Sequence, residues 1–173
     1  MKPARGEAAL LAAGAAVFCG WLALPLLSGR IYVEDDLSAF HLPMRWHYAQ
    51  CLAAGEDWRW NPWLFAGFDA HGEGQAGMLH PLHALLYGAL PFATAFTLNL
   101  VLPYPLMLAG MAAWLRRHAV PWPSALLGGV LFAFAGANLN HYVHMHLVFA
   151  MAHLPFALLA IDGVLRGRGR APA

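Results

Sequence analysis

The chain has 173 residues, of which 60% are hydrophobic and only 11% are charged. An average soluble domain carries about 25% charged residues, so this composition indicates a protein whose solvent is partly lipid. The formal net charge is +1, but the two signs are separated along the chain and form no basic face. This pattern argues against nucleic-acid binding.

Apolar runs and one long polar segment alternate along the chain. A helix needs roughly 20 residues to cross a bilayer, and four transmembrane helices are predicted at about 8–28, 95–115, 123–137 and 147–165. The polar segment at about 29–92 is too long for a simple connection. Two amphipathic helices are predicted within this segment, at about 38–54 and 81–90. Their mixture of aromatic and polar residues suits the lipid headgroup region.

The charges indicate how these helices are oriented. Seven of the nine acidic residues lie between Glu34 and Glu73, whereas most basic residues flank the apolar runs. The basic clusters are Lys2 with Arg5, Arg116 with Arg117, and Arg166 with Arg168 and Arg170. Basic residues favour the cytoplasmic side, and a cytoplasmic N-terminus places all three clusters there. The sequence therefore predicts an all-α integral membrane protein with an acidic segment outside the cytoplasm.

Three consecutive carboxylates, Glu34, Asp35 and Asp36, follow the first apolar run. Such a group can bind a divalent cation through oxygen, or one member can act as a general base if its neighbours raise its pKa. The structural alternative is a solvated helix N-terminus, with Asp36 capping the helix that begins at Ser38. The residues by themselves favour the structural alternative.

An aromatic stretch from Trp58 to Trp63 contains a turn signal at Asn61-Pro62. It is typical of an aromatic belt at the membrane surface. The functional alternative is a platform that stacks on a sugar or binds a lipid headgroup, with Arg59 pairing with a phosphate. Arg30 and Arg45 are the other arginines predicted outside the cytoplasm.

Two further polar groups have both a functional and a structural interpretation. The glycine-rich stretch 67–77 includes Glu73 and Gln75, and is either a ligand-binding loop or a connection. His141, His144 and His146 lie close enough in sequence to suggest zinc. However, their spacing, with His153 included, does not place them on one helical face, and no carboxylate is near them in sequence. Histidines at the membrane surface are the favoured interpretation.

Taken in order, the external segment resembles the YfhO-like family of bacterial polytopic membrane proteins, which belong to the GT-C glycosyltransferases. The resemblance rests on Asp36 followed seven positions later by Pro43, and then on Trp60-Asn61-Pro62, Gly67, Glu73-Gly74-Gln75 and Pro81. Phe134-Ala135-Gly136 and Leu154-Pro155 extend it more loosely. The chain departs from the family pattern at Phe40, Asp69 and His153. It covers only the N-terminal portion of such enzymes, so we expect a fragment or a truncated product.

The resemblance implies a protein of the bacterial cytoplasmic membrane that transfers a sugar from a polyprenyl-phosphate carrier to an extracytoplasmic glycan or polymer. Asp36 would be the catalytic base, with Asp35 as the second catalytic candidate. A divalent metal ion, Mg or Mn, would be held by Glu34, Asp35 and Asp36. Side-chain chemistry assigns Arg45 and Arg59 to phosphate. The other substrate-binding candidates are Trp60, Asn61, Glu73 and Gln75.

A non-catalytic function is the alternative. The same external helices would then form a membrane scaffold, or a module that binds lipid headgroups or a partner subunit. This alternative predicts no sugar transfer by the purified protein. It also predicts loss of partner binding when Trp58, Trp60 and Trp63 are replaced.

Overall fold

The computed structural model describes residues 5–168, and this part of the chain is mostly helical. Its helices are α1 (Arg5–Leu22), α2 (Leu24–Leu27), a π-helical turn (Leu37–His41), α3 (Leu42–Ala54), α4 (Pro81–Ala89), α5 (Phe92–Val101), α6 (Pro103–Arg117), α7 (Trp122–Ala133), α8 (Gly136–Asn140) and α9 (Met145–Arg168). Two short strands, β1 (Trp60–Asn61) and β2 (Phe68–Asp69), pair in antiparallel fashion, with Trp60 opposite Asp69. Of the basic residues predicted to be cytoplasmic, Lys2 and Arg170 lie outside the described residues.

Three helical stretches are long and apolar enough to cross a membrane. They are Phe92–Arg117, Trp122–Asn140 and Met145–Gly167. A helical membrane protein was predicted from the composition, and these stretches indicate a lipid bilayer as the environment of the chain. The predicted first span at 8–28 corresponds to α1 and α2, in which Ala13–Leu22 is a shorter apolar helix.

Short-range sequence signals account for where the helices of the polar segment begin and end. The π-helical turn leads directly into α3, which has Pro43 in its first turn and ends at Gly55 in the left-handed conformation. Helix α4 begins at Pro81, and the His80 side chain caps it by accepting a hydrogen bond from the Leu82 backbone at 3.2 Å. These elements cover the positions at which the sequence predicted amphipathic helices, 38–54 and 81–90.

The chain divides into two compact units. Within the described residues, the first unit comprises those up to Trp21, residues Leu102–His141 and those from Leu147 onward. The second comprises Leu22–Val101 together with the short segment Tyr142–His146. This segment brings two of the clustered histidines, His144 and His146, into the second unit.

In the first unit, helices α6 and α7 pack closely through glycine. A Cβ atom on Gly129 would meet the Leu108 carbonyl oxygen at 2.6 Å, and one on Gly128 would meet a Leu115 methyl carbon at 2.4 Å. Small residues allow this approach between membrane helices, where van der Waals packing drives association. The two glycines therefore set the distance between the helices.

The break between α7 and α8 is stabilised by Asn138. Its side-chain amide donates a hydrogen bond to the Phe132 backbone carbonyl at 2.7 Å. The backbone carbonyl of Asn138 accepts a hydrogen bond from the Tyr104 hydroxyl at 3.2 Å. Backbone groups freed by a helix break inside a membrane need such partners because no water is available there. Asn138 thus supplies the partners that the interrupted helix lacks.

Asp162, near the end of α9, is paired with arginines from two basic clusters of this unit. Its carboxylate contacts the Arg117 guanidinium, and it accepts a hydrogen bond from Arg166 Nε at 2.8 Å. The C-terminal ends of α6 and α9 are therefore adjacent.

Candidate functional site

The candidate site lies in the second unit and begins with Asp36. Asp36 occupies the N-cap position of the π-helical turn, but its backbone is already helical and its side chain makes no capping hydrogen bond. The half-buried carboxylate instead lies 3.3 Å from Nε2 of His144. This contact was not predicted from the sequence, because no carboxylate is near His144 along the chain.

Two further imidazole rings, those of His146 and His41, extend from the Asp36–His144 pair towards the buried part of the unit. The His144 and His146 rings lie with their centroids 6.2 Å apart, and the His146 and His41 rings are 5.5 Å apart. His41 is completely buried. Within the described chain, no group of three or more His, Cys, Asp or Glu side chains is placed to hold a metal ion. These histidines therefore form a row of rings.

Arg45 was predicted to be an external arginine available to phosphate, but its side chain is buried. The residue is 2% exposed. Its Nε donates to Asn99 Oδ1 at 3.0 Å, and its Nη1 lies 2.9 Å from His41 Nδ1. Over residues 5–168, no carboxylate lies within 4.0 Å of the guanidinium. The cation is thus held by neutral hydrogen-bond acceptors.

The guanidinium determines the tautomer of His41. Arginine can only donate hydrogen bonds, so His41 Nδ1 accepts and the proton is on Nε2. This Nε2 is buried and has no hydrogen-bond partner among the residues that the structure describes. Burial, followed by the charges of Arg45, His146 and His144, lowers the pKa of His41 from 6.5 to about 3. The ring is therefore neutral at physiological pH.

Asn99 connects this cluster to α4, and the sequence analysis missed it. Its Oδ1 accepts from the Tyr87 hydroxyl at 3.2 Å as well as from Arg45, while its Nδ2 lies 2.9 Å from His83 Nε2. His83 Nδ1 in turn lies 2.7 Å from the Gly77 carbonyl oxygen. An asparagine inside an apolar run was the available signal, because polar residues in membrane helices are costly unless they are paired.

Glu73 is the acidic residue whose charge acts on Arg45 in this unit. Burial lowers the pKa of Arg45, whereas Tyr87 and the Glu73 carboxylate act in the opposite direction. Glu73 is itself fixed in place, because its Oε2 accepts a hydrogen bond from the Ala76 backbone at 2.7 Å. Among the described residues, the Glu73 carboxylate therefore favours the charged form of Arg45 without a direct ion pair.

A cavity of about 400 Å³ lies beside Glu73. Trp58, His71 and His80 contribute to its walls together with Glu73. The Trp58 ring is held between Tyr48, at a centroid distance of 5.3 Å, and His71, at 6.2 Å. The cavity thus combines a fixed aromatic face with a carboxylate and two imidazoles.

Other predicted substrate-binding residues lie elsewhere in the unit. Trp60 is 57% exposed and packs on Gly67, where an added Cβ would meet its ring at 2.3 Å. Asn61 is buried, and its Oδ1 accepts the backbone N–H of Trp63 at 3.0 Å, which stabilises the turn. Gln75 is exposed, and it is not one of the residues that form the cavity wall.

Arg59 is exposed and already paired with Asp57. Its Nη2 lies 2.6 Å from Asp57 Oδ2, and this contact lowers the pKa of Asp57 to about 2. Exposed pairs of this kind contribute little to stability, so a phosphate can compete for Arg59 at little cost. The structure does not place Arg59 in the wall of the cavity.

The three consecutive carboxylates have different surroundings. Glu34 and Asp35 are exposed, and Asp35 has a positive φ of 50°, whereas Asp36 is the one near His144. Mg²⁺ is usually bound through one or two carboxylates together with substrate phosphate oxygens. Among the described residues, these carboxylates do not form a group that is placed to hold a metal ion by itself.

Comparisons with protein-family models, with curated proteins and with solved structures found no match. The functional assignment therefore depends on the geometry of the Asp36 site and on the sequence resemblance.

Proposed function

We propose that this chain is the N-terminal part of a membrane glycosyltransferase, which moves a sugar from a polyprenyl-phosphate carrier to an extracytoplasmic glycan or polymer. The observation that carries this proposal is the Asp36 carboxylate, 3.3 Å from His144 Nε2, in the same compact unit as the buried Arg45. A carboxylate that accepts a proton, in a unit that also holds a fixed positive charge, suits a reaction whose leaving group is a phosphate. The resemblance to the YfhO-like family supports the same assignment.

In the proposed mechanism Asp36 is the general base. As the acceptor hydroxyl oxygen attacks the anomeric carbon, the bond from that carbon to the carrier phosphate breaks. The hydroxyl proton passes to Asp36, and the leaving phosphate keeps the electron pair. His144 positions the Asp36 carboxylate through their 3.3 Å contact. The buried Arg45 stabilises the developing negative charge through its field and not by contact, because it is 2% exposed.

A divalent metal ion, Mg or Mn, bound at Asp36 with Glu34 or Asp35 would neutralise phosphate charge. The exposed Arg59 is the guanidinium available for direct phosphate contact, after exchange with Asp57. We assign the sugar to the cavity at Glu73, where Trp58 takes the stacking function that was predicted for Trp60. Aromatic faces together with carboxylate and imidazole groups suit a neutral ligand with many hydroxyls.

We also propose that the protein has four spans in the bacterial cytoplasmic membrane, with α1 and α2 forming the first span and the N-terminus in the cytoplasm. The contacts of Asp162 with Arg117 and Arg166 support this orientation, because they bring two basic clusters together. Clustered arginines on one side favour a cytoplasmic location. Reporter fusions at residue 70 and after Arg117 measure the orientation directly.

The catalytic proposal is tested with the chain in nanodiscs, supplied with a polyprenyl-phosphate sugar, Mg²⁺ and a glycan acceptor. General base catalysis contributes about 10²–10⁴-fold, so we expect Asp36→Asn to lower transfer by at least 100-fold. Glu56→Gln, an exposed acid in the same unit, is the matched control and should retain activity.

Undiminished transfer by Asp36→Asn would refute the assignment of the base. If the wild-type chain binds the carrier lipid but transfers no sugar, the non-catalytic lipid-binding module becomes the better description.

A further inference from the structure

The tip of the β1–β2 hairpin exposes two large aromatic side chains. Trp63 and Phe65 are each 87% exposed. Side chains of this size are normally turned inward in a protein that is surrounded by water. We define the hairpin tip as residues 62–67.

The hairpin tip is held in shape by its own backbone. The Gly67 N–H donates to the Leu64 carbonyl at 2.7 Å, and the Trp63 N–H donates to the Asn61 side chain at 3.0 Å. Phe65 and Ala66 have positive φ angles of 49° and 60°, a conformation that side chains other than glycine rarely adopt. The aromatic residues are thus presented by a defined turn.

The hairpin tip carries no formal charge. No charged residue occurs between Arg59 and Asp69 in the sequence. Beside the tip is a groove of about 300 Å³, whose walls include Pro43, Trp46 and Trp63. Polar residues complete the wall, namely His47, Gln50 and Asn61. A groove with both kinds of side chain suits the boundary between headgroups and acyl chains.

This surface contacts the start of a helical stretch that is long and apolar enough to cross a membrane. Trp46, in the wall of the groove, contacts Phe92 edge to face at a centroid distance of 4.9 Å. Phe92 is the first residue of the stretch Phe92–Arg117, which is long and apolar enough to span a bilayer. A helix that crosses the bilayer from this residue onward would place Phe92 and the groove at the level of the headgroups. Trp residues are favoured at this depth.

We propose that the hairpin tip inserts Trp63 and Phe65 into the bilayer, at the boundary between headgroups and acyl chains. The ligand of this surface is membrane lipid. The inference depends on the helix Phe92–Arg117 crossing the bilayer and is independent of sugar transfer.

The test is a depth measurement on the whole chain in nanodiscs made of phosphatidylcholine and phosphatidylglycerol in a 3:1 ratio. Cys19 and Cys51 are replaced by serine, and a nitroxide label is attached at Phe65→Cys or, as a second position, at Trp63→Cys. Gln75→Cys, an exposed polar position of the same segment, is the matched control. Accessibility to oxygen and to a water-soluble nickel complex is measured for each label.

We expect labels at 65 and 63 to be more accessible to oxygen than to the nickel complex, and the label at 75 to show the reverse. Equal accessibility profiles at 65, 63 and 75 would overturn the proposal. Protection of the tip labels from both reagents would also overturn it, since a protein partner or a second copy would then cover the tip.

Discussion

Asn99 offers a direct test of how the buried Arg45 is stabilised. Its side chain accepts hydrogen bonds from Arg45 Nε at 3.0 Å and from the Tyr87 hydroxyl at 3.2 Å, and its amide donates to His83 Nε2 at 2.9 Å. Asn99→Leu preserves the approximate size of the side chain but removes all three bonds. Asn99→Asp preserves the two acceptor contacts and provides a carboxylate for the guanidinium.

The expected loss of stability follows from these bonds. A hydrogen bond to a charged group contributes about 1.5–3 kcal/mol and a neutral one about 1 kcal/mol. Asn99→Leu should therefore lower the free energy of unfolding by about 3–5 kcal/mol. For a chain of this size, that loss corresponds to a decrease in Tm of roughly 10 °C. Asn99→Asp should lose less than half as much, because Arg45 gains an anionic partner.

The assay is thermal unfolding of the purified protein in detergent, monitored by tryptophan fluorescence. A Tm of Asn99→Leu within 2 °C of the wild type would refute the argument. So would a greater defect for Asn99→Asp than for Asn99→Leu.

Two further predictions concern packing and pH. Gly129→Ala should destabilise the α6–α7 pair by about 1–3 kcal/mol, since its Cβ would meet the Leu108 carbonyl oxygen at 2.6 Å. Gly163→Ala, with open space around it, is the control in the same thermal unfolding assay. Equal Tm values for the two variants would contradict the prediction. His41 has a folded-state pKa of about 3, below its ordinary value of 6.5. Between these two values the unfolded chain binds a proton that the folded protein does not, so the free energy of unfolding decreases as the pH falls from 6.5 towards 3. Thermal unfolding against pH should show this loss in the wild type and a smaller one in His41→Gln; identical pH dependence in both would exclude this source of stability.

Much of the helical architecture was predictable because its signals are local. Apolar runs with few charges predicted a helical membrane protein, and three stretches of suitable length and composition are present. Pro81 at the start of α4 and Gly55 at the end of α3 are short-range signals that need no knowledge of the rest of the fold. The π-helical turn before α3 had no comparable signal.

The candidate site was predicted only in part. Asp36, Arg45 and Glu73 were each selected from the sequence, and they lie in the same unit. Their partners were missed, since His144 and Asn99 are far from them along the chain. Arg45 was expected at the surface because charged residues usually are, but hydrogen bonds that it donates to the nearby His41 and to Asn99 on α5 allow it to be buried.

The sequence by itself determined that the chain is helical, suited to a membrane and acidic in one segment, because composition and periodicity act over a few residues. The tertiary structure decided which side chains meet. It placed His144 beside Asp36, buried Arg45 and selected Trp58 rather than Trp60 as the aromatic wall of the cavity beside Glu73. These outcomes depend on packing between segments far apart in the chain, and no local pattern of residues encodes them.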